Sequence, residues 1–467
     1  MTHQRKLISG ALAAALASAI QTGPVFGETL QDALVAAYNS NPTLLAERAR
    51  LRATDEGVSQ AVAGWRPTVT VTADYGVNET RSQFSRSFFG TNLATSTTSK
   101  TYTRDYSASL TATQPLFRGF QTVNSTKQAK AEVREGRALL WSVEQQVLLD
   151  AITAYVDVIR DEATLALNLN NGEVLGRQLE AAQDRFRVGE ITRTDVAQSE
   201  ARLSLARSNI TRAEATLAAT RARYEAVIGQ APGSLVEPPV LPPLPGSLED
   251  AISAAVDNNP GLVAAKENED AAKHNVDVTK GALLPTAQVR AQFNTNEEIP
   301  RKNTQRQTYN VAAELTVPIY QSGAEYSRIR QAKHAYNQAR IQVAETRRDI
   351  VQSVTTSYEN LLAARSTIVS GREQVRANEI AFEGVQQEAQ VGSRTTLDVL
   401  DAEQELLDSR EALIRAERDE QVAAYQLLGS IGELTAANLG LPVDLYDPEE
   451  HYRAVNTKWI GWDTPGD

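Results

Sequence analysis

Glycine and aspartate recur at one spacing in two short segments, and these are the residues whose types and positions could do chemistry. Residues 185–196 read RFRVGEITRTDV, and residues 388–399 read EAQVGSRTTLDV. A second acid, Asp401, follows Asp398 in the later segment. Because positions three apart share one helix face, Asp398 and Asp401 are expected to gather negative charge on one side. Alternatively, Asp398 and Asp195 act only as caps of a helix N-terminus.

Other reactive groups are scarce in this sequence. It contains no cysteine, one methionine and four histidines. This composition excludes disulfides, thiol nucleophiles and cysteine-based metal sites. The histidines are too scattered to form a local metal motif, and no glycine-rich phosphate loop or nucleophile elbow is present. We therefore expect no enzyme activity, no cofactor and no metal site.

The charge balance argues against nucleic acid as a partner. Lys plus Arg is 47 and Asp plus Glu is 58, so the net charge is 47 − 58 = −11. A negative chain repels polyanions rather than recruiting them.

Residues 1–27 have the features of a secretory signal peptide. Basic residues precede a small apolar stretch, LISGALAAALASAI, and a polar segment ends at Gly27. Cleavage before Glu28 fits these residues, and Ala17-Ser18-Ala19 is a competing site. An uncleaved anchor is the alternative, but about 14 apolar residues fall short of the ~20 that span a bilayer. The mature protein is therefore expected outside the cytoplasm.

The rest of the chain is an internal duplication. TLQDALVAAYNSNP from Thr29 aligns with SLEDAISAAVDNNP from Ser247, a shift of 247 − 29 = 218. From Pro115, which aligns with Pro318, the shift is 203. The difference of 15 predicts an insertion in one loop of the first copy. The predicted divisions are a signal peptide (1–27), repeat 1 (28–230), a proline-rich linker (231–246), repeat 2 (247–432) and a C-terminal tail (433–467).

Each repeat contains two segments that alternate apolar and polar residues, as a strand with two different faces requires. They lie at about 67–78 and 102–114 in repeat 1 and at about 285–295 and 308–318 in repeat 2. Their lengths suit tilted strands that cross a membrane. A soluble hairpin packed on a core is the alternative.

Long proline-free segments surround these strands. Residues 123–187 and 324–390 carry apolar positions at helical spacing, and each could form a helix of about 100 Å. Shorter helices are predicted at 31–63 and 195–228, which stacked end to end could match the first long helix. An ordinary coiled-coil rod is the alternative, although a rod does not need strand pairs.

Four strands cannot close a barrel, since about eight are needed. Several copies must therefore share one barrel. Three copies would give twelve strands, but composition alone does not fix that number.

The duplicated repeats, the strand pairs between long helices and the paired V-G-x(5)-D-V turns together resemble the TolC family of outer-membrane channel proteins. The resemblance covers nearly the whole chain after the signal. It implies a mainly α fold with a membrane β-barrel: a homotrimer, four strands per chain in a twelve-stranded barrel, and a long antiparallel α-helical coiled-coil tunnel in the periplasm.

The resemblance also assigns roles to residues of the two turns. It implies that Asp398 and Asp401 line a pore constriction as a cation-selective ring. Arg394 of the second turn would hold the tip shut by links to Thr194 and Asp195 beside the first. The family's tyrosine is replaced here by Ala389, so the closed state would have fewer links, or a substitute such as Arg193. The turns themselves would contact an adaptor through Val188, Gly189, Val391 and Gly392.

The implied function is that of a passive trimeric exit duct in the outer membrane of a Gram-negative bacterium, for drug efflux, type I protein secretion or both. Its implied partners are a periplasmic adaptor (membrane fusion) protein, an inner-membrane ABC or RND transporter, and outer-membrane lipid. An exported coiled-coil structural protein or adhesin is the alternative function. The tail is expected to pack around the middle of the tunnel. The sequence names neither the cargo nor the particular transporter.

Overall fold

The computed structural model of the chain describes residues 27–86, 95–238, 241–297 and 304–464. The predicted signal peptide therefore lies outside the described residues, apart from Gly27. Within the described ranges, no helix is both long and apolar enough to cross a membrane.

The described residues are mainly helical, with one sheet. The helices are α1 (Leu30–Ser40), α2 (Pro42–Val62), α3 (Gln121–Arg187), α4 (Arg193–Ile228), α5 (Leu248–Asn258), α6 (Pro260–Gly281), α7 (Ala324–Gln390), α8 (Thr396–Ile431) and α9 (Glu450–Val455), and the strands are β1 (Thr68–Arg86), β2 (Thr95–Arg118), β3 (Thr286–Glu297) and β4 (Gln305–Thr316). A short 3₁₀ turn, Ala63–Trp65, joins α2 to β1. Both α3 and α7 have 67 residues, so each is about 100 Å long.

The shorter helices stack end to end along the long ones. In repeat 1, Leu51 of α2 packs against Gly136 in the first half of α3. Thr220 of α4 donates a hydrogen bond to Asp161 in the second half of α3. Repeat 2 places α8 along α7 in the same way, and α4 and α8 have 36 residues each. The predicted stacking is confirmed.

The single helix predicted over 31–63 is in fact two helices. Asn41 ends α1 and caps α2, accepting a hydrogen bond from the Thr43 N–H at 2.9 Å, and proline follows at the first helical position. Its side-chain amide also donates to the Val227 carbonyl of α4 at 2.8 Å. Asn259 does the same between α5 and α6, with Ser430 of α8 as its acceptor at 2.9 Å. The Asn-Pro pair was the signal for this break.

The four strands form one antiparallel sheet in the order β1-β2-β3-β4. A register shift between Pro115 and Phe117 marks an irregularity between β2 and β3. Apolar side chains on alternate positions of the outer strands are exposed in the single chain: Val69, Val71, Tyr75 and Val77 of β1, and Tyr309, Val311 and Leu315 of β4. The alternation predicted from the sequence therefore leaves an apolar face uncovered within one chain.

The insertion in repeat 1 is mostly strand, which corrects its placement in a loop. β1 and β2 have 19 and 24 residues, against 12 each for β3 and β4. The extra pairs run from Thr80 opposite Thr101 to Arg86 opposite Thr95. The inserted strand residues, TRSQFSR at 80–86 and TSTTSKT at 95–101, are almost all polar, and their threonines favour extended backbone, so the hairpin lengthens instead of ending in a larger loop.

The main core lies in the middle of the helices, where α1, α3, α4, α5, α7 and α8 meet around Tyr155, Ile152 and Leu148. The tail begins at this core but does not stay there. Tyr452 packs beside Val58 near the end of α2, and the Lys458 carbonyl accepts a hydrogen bond from Arg66, two residues before β1. The tail therefore starts around the middle of the helices, as expected, and then runs along α2 to the base of the sheet, which corrects the expected position of its later part.

Candidate functional site

The two glycine turns close the ends of the long helices with one backbone geometry. After α3, Gly189 has φ +81° and its N–H donates to the Phe186 carbonyl at 2.9 Å. After α7, Gly392 has φ +80° and donates to Ala389 at 3.1 Å. These left-handed conformations favour glycine and satisfy carbonyls at the helix end. We call residues 185–196 the first tip turn and residues 388–399 the second tip turn.

Each returning helix starts with the same capping box. Thr192 caps α4, and its N–H donates to the Asp195 carboxylate at 2.8 Å. Thr395 caps α8, and its N–H donates to Asp398 at 2.9 Å. The predicted capping role of both aspartates is therefore confirmed, with threonine as the partner three residues earlier.

The cap also sets the charge of Asp398. The hydrogen bonds from the Thr395 backbone and hydroxyl hold the pKa of the Asp398 carboxyl below its usual range, and the nearby charge of Arg394 adds to this effect. Asp398 is thus a stable anion at neutral pH, as an acidic constriction requires.

A short ion pair braces each turn, with opposite polarity in the two repeats. In the first tip turn, Arg185 on the helix binds Glu190 on the loop at 2.8 Å. In the second, Glu388 on the helix binds Arg394 on the loop, also at 2.8 Å. The pairs raise the pKa of Arg394 and lower that of Glu190. Within one chain, Arg394 therefore pairs with its own turn, and the structure does not bring it to Thr194 or Asp195.

The second acid of the D-x-x-D pair joins the two repeats. Asp401 of α8 forms a salt bridge with Arg202 of α4, and its side chain remains 54% exposed. Sequence analysis missed Arg202. The signal was its position seven residues after Asp195, which places it on the same face of α4, two turns from the tip.

A buried carboxyl lies beside this salt bridge. Glu403 of α8 is buried and accepts a hydrogen bond from the Gln178 amide of α3 at 2.6 Å. Burial raises the pKa of Glu403, and the hydrogen bond partly opposes that rise. A small apolar cluster packs nearby, made of Leu175, Leu179, Leu203, Ala206 and Leu400. Glu403 was also missed, because a glutamate in a charged helix gives no sequence signal of burial.

The outermost residues of both turns are open to solvent. Val188 and Val391 are 79% and 80% exposed, and Phe186 and Leu397 nearby are exposed in part. The tip thus presents apolar side chains beside charged ones. No group of histidine, aspartate or glutamate side chains in the described part of the chain is arranged to hold a metal ion.

The sequence matches the profile of a family described as "Outer membrane efflux protein" over residues 33–230 and 251–433. The chain is 36% identical over 457 residues to the outer membrane efflux protein BepC of Brucella suis biovar 1, covering 97% of this chain and 96% of the relative. It is 26% identical to the outer membrane protein TolC of Vibrio cholerae, covering 94% and 99% of the two chains.

The fold is also that of solved outer-membrane channels. The crystal structure of the Campylobacter jejuni CmeC outer membrane channel superposes with a TM-score of 0.73 at 12% identity, covering 92% of this chain and 89% of that one. At this identity the likeness concerns the fold alone.

Proposed function

Because the chain belongs to the outer membrane efflux protein family and is an exit duct of the outer membrane with its helices in the periplasm, we propose that three copies assemble into one channel. The sheet carries this proposal. Its four strands are too few to close, β1 and β4 end the sheet without a further partner in the described chain, and both strands expose apolar side chains. Joining β4 of one copy to β1 of the next closes a twelve-stranded barrel and removes both edges.

The helices of the three copies would continue the barrel as a tunnel about 100 Å long. Its far end is formed by the two tip turns of each copy. Asp398 and Asp401 then face the axis, and six carboxylates surround the narrowest part of the pore. Such a ring attracts cations and repels anions. Arg202 lies against Asp401 and reduces the field of the ring without cancelling it.

The tip is held closed by contacts between neighbouring copies. Arg394 leaves Glu388 and binds Thr194 and Asp195 of the adjacent chain. These groups are exposed in the single chain or partly so, which leaves them accessible to a neighbour. Arg394→Ser should therefore raise resting conductance in single-channel recordings. An unchanged conductance would remove Arg394 from the closing contacts.

The channel works with a periplasmic adaptor and an inner-membrane ABC or RND transporter, which supplies the energy. The tip turns are the surface for the adaptor, through Val188, Gly189, Val391 and Gly392. The exposed valines support this assignment, because isolated apolar side chains at a tip can fill pockets of a partner. The family is one of channel proteins, and we assign the chain no chemistry of its own.

Cation block tests the acidic ring. Asp398→Asn with Asp401→Asn removes six charges from a trimer while keeping side chains that can accept hydrogen bonds. We expect the concentration of a trivalent cation that halves the conductance to rise by about tenfold or more. Asp184→Asn is the control, since Asp184 lies near the tip and pairs with Arg187 of its own helix, and it should leave block unchanged. Equal block in all three proteins would contradict the ring.

A further inference from the structure

The end of the tail displays large apolar side chains that the described residues leave mostly exposed. Trp459, Ile460 and Trp462 are 66%, 90% and 101% exposed. Three such side chains within four residues form an apolar patch, and water is a poor solvent for it. We call residues 458–463 the tryptophan loop.

Contacts between the first and last residues close the loop. Lys458 binds the Asp463 carboxylate at 3.1 Å and its backbone carbonyl at 2.8 Å, which closes the loop around the apolar residues. Gly461 has φ +126° in the turn. In this closed loop, the side chains of Trp459 and Trp462 point outward.

Contacts between the tail and α2 place the tryptophan loop near the start of β1. Tyr446 donates its backbone N–H to the Tyr38 hydroxyl at 3.1 Å, and His451 contacts Asp55 of α2 at 3.2 Å. Further on, the Arg66 guanidinium donates to the Lys458 carbonyl at 2.7 Å and lies 4.9 Å from the centre of the Trp459 ring. Since β1 starts at Thr68, the loop lies at the helix-side end of the sheet.

Other exposed aromatic and apolar residues occur at this same end. Trp65 lies three residues before the start of β1 and is 41% exposed, while Ile319 and Tyr320 lie three and four residues after the end of β4 and are 91% and 79% exposed. Tryptophan and tyrosine concentrate where a membrane meets water, because one part of each side chain is apolar and another can hydrogen-bond. The helix-side end of the sheet faces the periplasmic leaflet.

We propose that Trp459, Ile460 and Trp462 insert into the periplasmic leaflet of the outer membrane, at the boundary between headgroups and acyl chains. The occupant of the patch is phospholipid, because the loop continues the row of aromatic residues at the base of a sheet that crosses the membrane. Arg66 adds positive charge at headgroup level, while the charge of Lys458 is balanced by Asp463. The tail thus anchors α2 to the bilayer from outside the barrel. This inference rests on the proposed placement of the sheet.

Tryptophan fluorescence can test the insertion, because the chain has only four tryptophans, at positions 65, 141, 459 and 462. Four variants each keep one tryptophan and carry phenylalanine at the other three positions. Each is purified as the assembled channel and placed in phosphatidylcholine vesicles with or without brominated acyl chains. Bromine quenches only tryptophans that contact the acyl region.

We expect brominated lipid to reduce the emission of Trp462 about twofold, because a side chain at the boundary between headgroups and acyl chains contacts the bromine atoms. Trp65 is the positive control and should be quenched similarly. Trp141 is the negative control: it is 45% exposed on α3 but about 30 Å along the helix from its sheet end.

Each other result overturns the proposal in a distinguishable way. Unquenched, blue-shifted Trp462 emission means that a neighbouring copy covers the loop, and unquenched, red-shifted emission means that water does. If Trp65 is also unquenched, the placement of the sheet fails, and the loop inference fails with it. If a triple variant does not assemble, Trp462→Phe alone must lower the total quenching of the otherwise unchanged channel.

Discussion

The first and second tip turns share a backbone and differ in charge. Both use glycine at φ near +80°, and both use a threonine–aspartate capping box. The ion pair that braces each turn has its charges exchanged, Arg185 with Glu190 in one and Glu388 with Arg394 in the other. Duplication has therefore kept the residues that set dihedral angles and caps, while residues that set the electrostatic field have diverged.

The charged residues of the two repeats also differ one and two helical turns further from the tip. The position of Asp401 is occupied by Gln198 in repeat 1, and the position of Arg202 by Glu405 in repeat 2. The salt bridge between Asp401 and Arg202 thus has no equivalent with the repeats exchanged. Each repeat needs the same backbone conformation in its own turn, so both repeats keep the glycine and the cap. A pore or an interface needs each charge only once per chain, so the charged positions can differ between the repeats.

The largest effect should come from the shared glycines, and it should be the same in both turns. Gly189→Ala and Gly392→Ala force a side chain into the left-handed region, at about 1–2 kcal/mol each. Hydrogen exchange of the tip amides should accelerate accordingly. Gly176→Ala and Gly384→Ala are matched controls, since both glycines lie inside the long helices with no atom within 4 Å of the added carbon. These two substitutions should stabilise the helices that contain them. A large difference in exchange rate between Gly189→Ala and Gly392→Ala would contradict the view that the two turns share one backbone requirement.

A smaller effect, confined to one pair, is expected at the contact between the repeats. Arg202→Glu replaces the attraction to Asp401 by repulsion, and because the pair is partly exposed the loss should be about 1 kcal/mol. Exchange at the start of α4 and α8 should accelerate, and resting conductance should rise. The double variant Arg202→Glu with Asp401→Arg restores an opposite-charge pair and should recover the slow exchange.

Arg187→Glu is the matched control for this prediction. It reverses a charge near the tip whose partner, Asp184, lies on the same helix, so it should leave the contact between α4 and α8 unchanged. An equal acceleration in Arg187→Glu would show that net charge, and not the pair, determines the effect.

Acidity should act in opposite directions on two acids of α8, Glu403 and Asp398. Burial raises the pKa of Glu403 above its usual 4.5, so the folded tip binds a proton more readily than the unfolded chain. The stabilisation that Glu403 gives to the α3–α8 contact is therefore complete below pH 4.5. It is lost as the pH rises through the raised pKa. Asp398 has a lowered pKa, so its capping contribution is present above its usual 3.8 and is lost as the pH falls through the lowered value.

Hydrogen exchange around Glu403, corrected for its intrinsic pH dependence, should be slower at pH 5 than at pH 8. Glu403→Gln should remove this difference. Glu200→Gln alters the equivalent, exposed residue of repeat 1 and should leave the difference in place. A Glu403→Gln protein with the original pH dependence would assign the effect to another group.

Sequence patterns predicted what depends on local rules. Proline-free segments with apolar positions at helical spacing predicted the long helices, alternating residues predicted the four strands, and the glycine turns with their aspartates predicted both caps. Asn41-Pro42 was missed as a helix break because the helical spacing continues across it. Gln178 and Glu403 could not be found locally, since they are 225 residues apart in sequence. The local position of Arg202 gives its helix face but not its partner, Asp401, which is 199 residues away. The path of the tail was missed for the same reason.

The smallest effect is expected from exchanging the charges of one brace. Arg185→Glu with Glu190→Arg gives the first tip turn the polarity of the second, keeps the pair and the net charge, and leaves Arg394 in place. If backbone and caps determine the turn, the free energy of opening at the tip should change by less than about 0.5 kcal/mol, as for most surface substitutions. Cation block should also persist, because Asp398 and Asp401 are intact. A loss as large as that of Gly189→Ala would mean that the polarity of the brace is specific to each repeat.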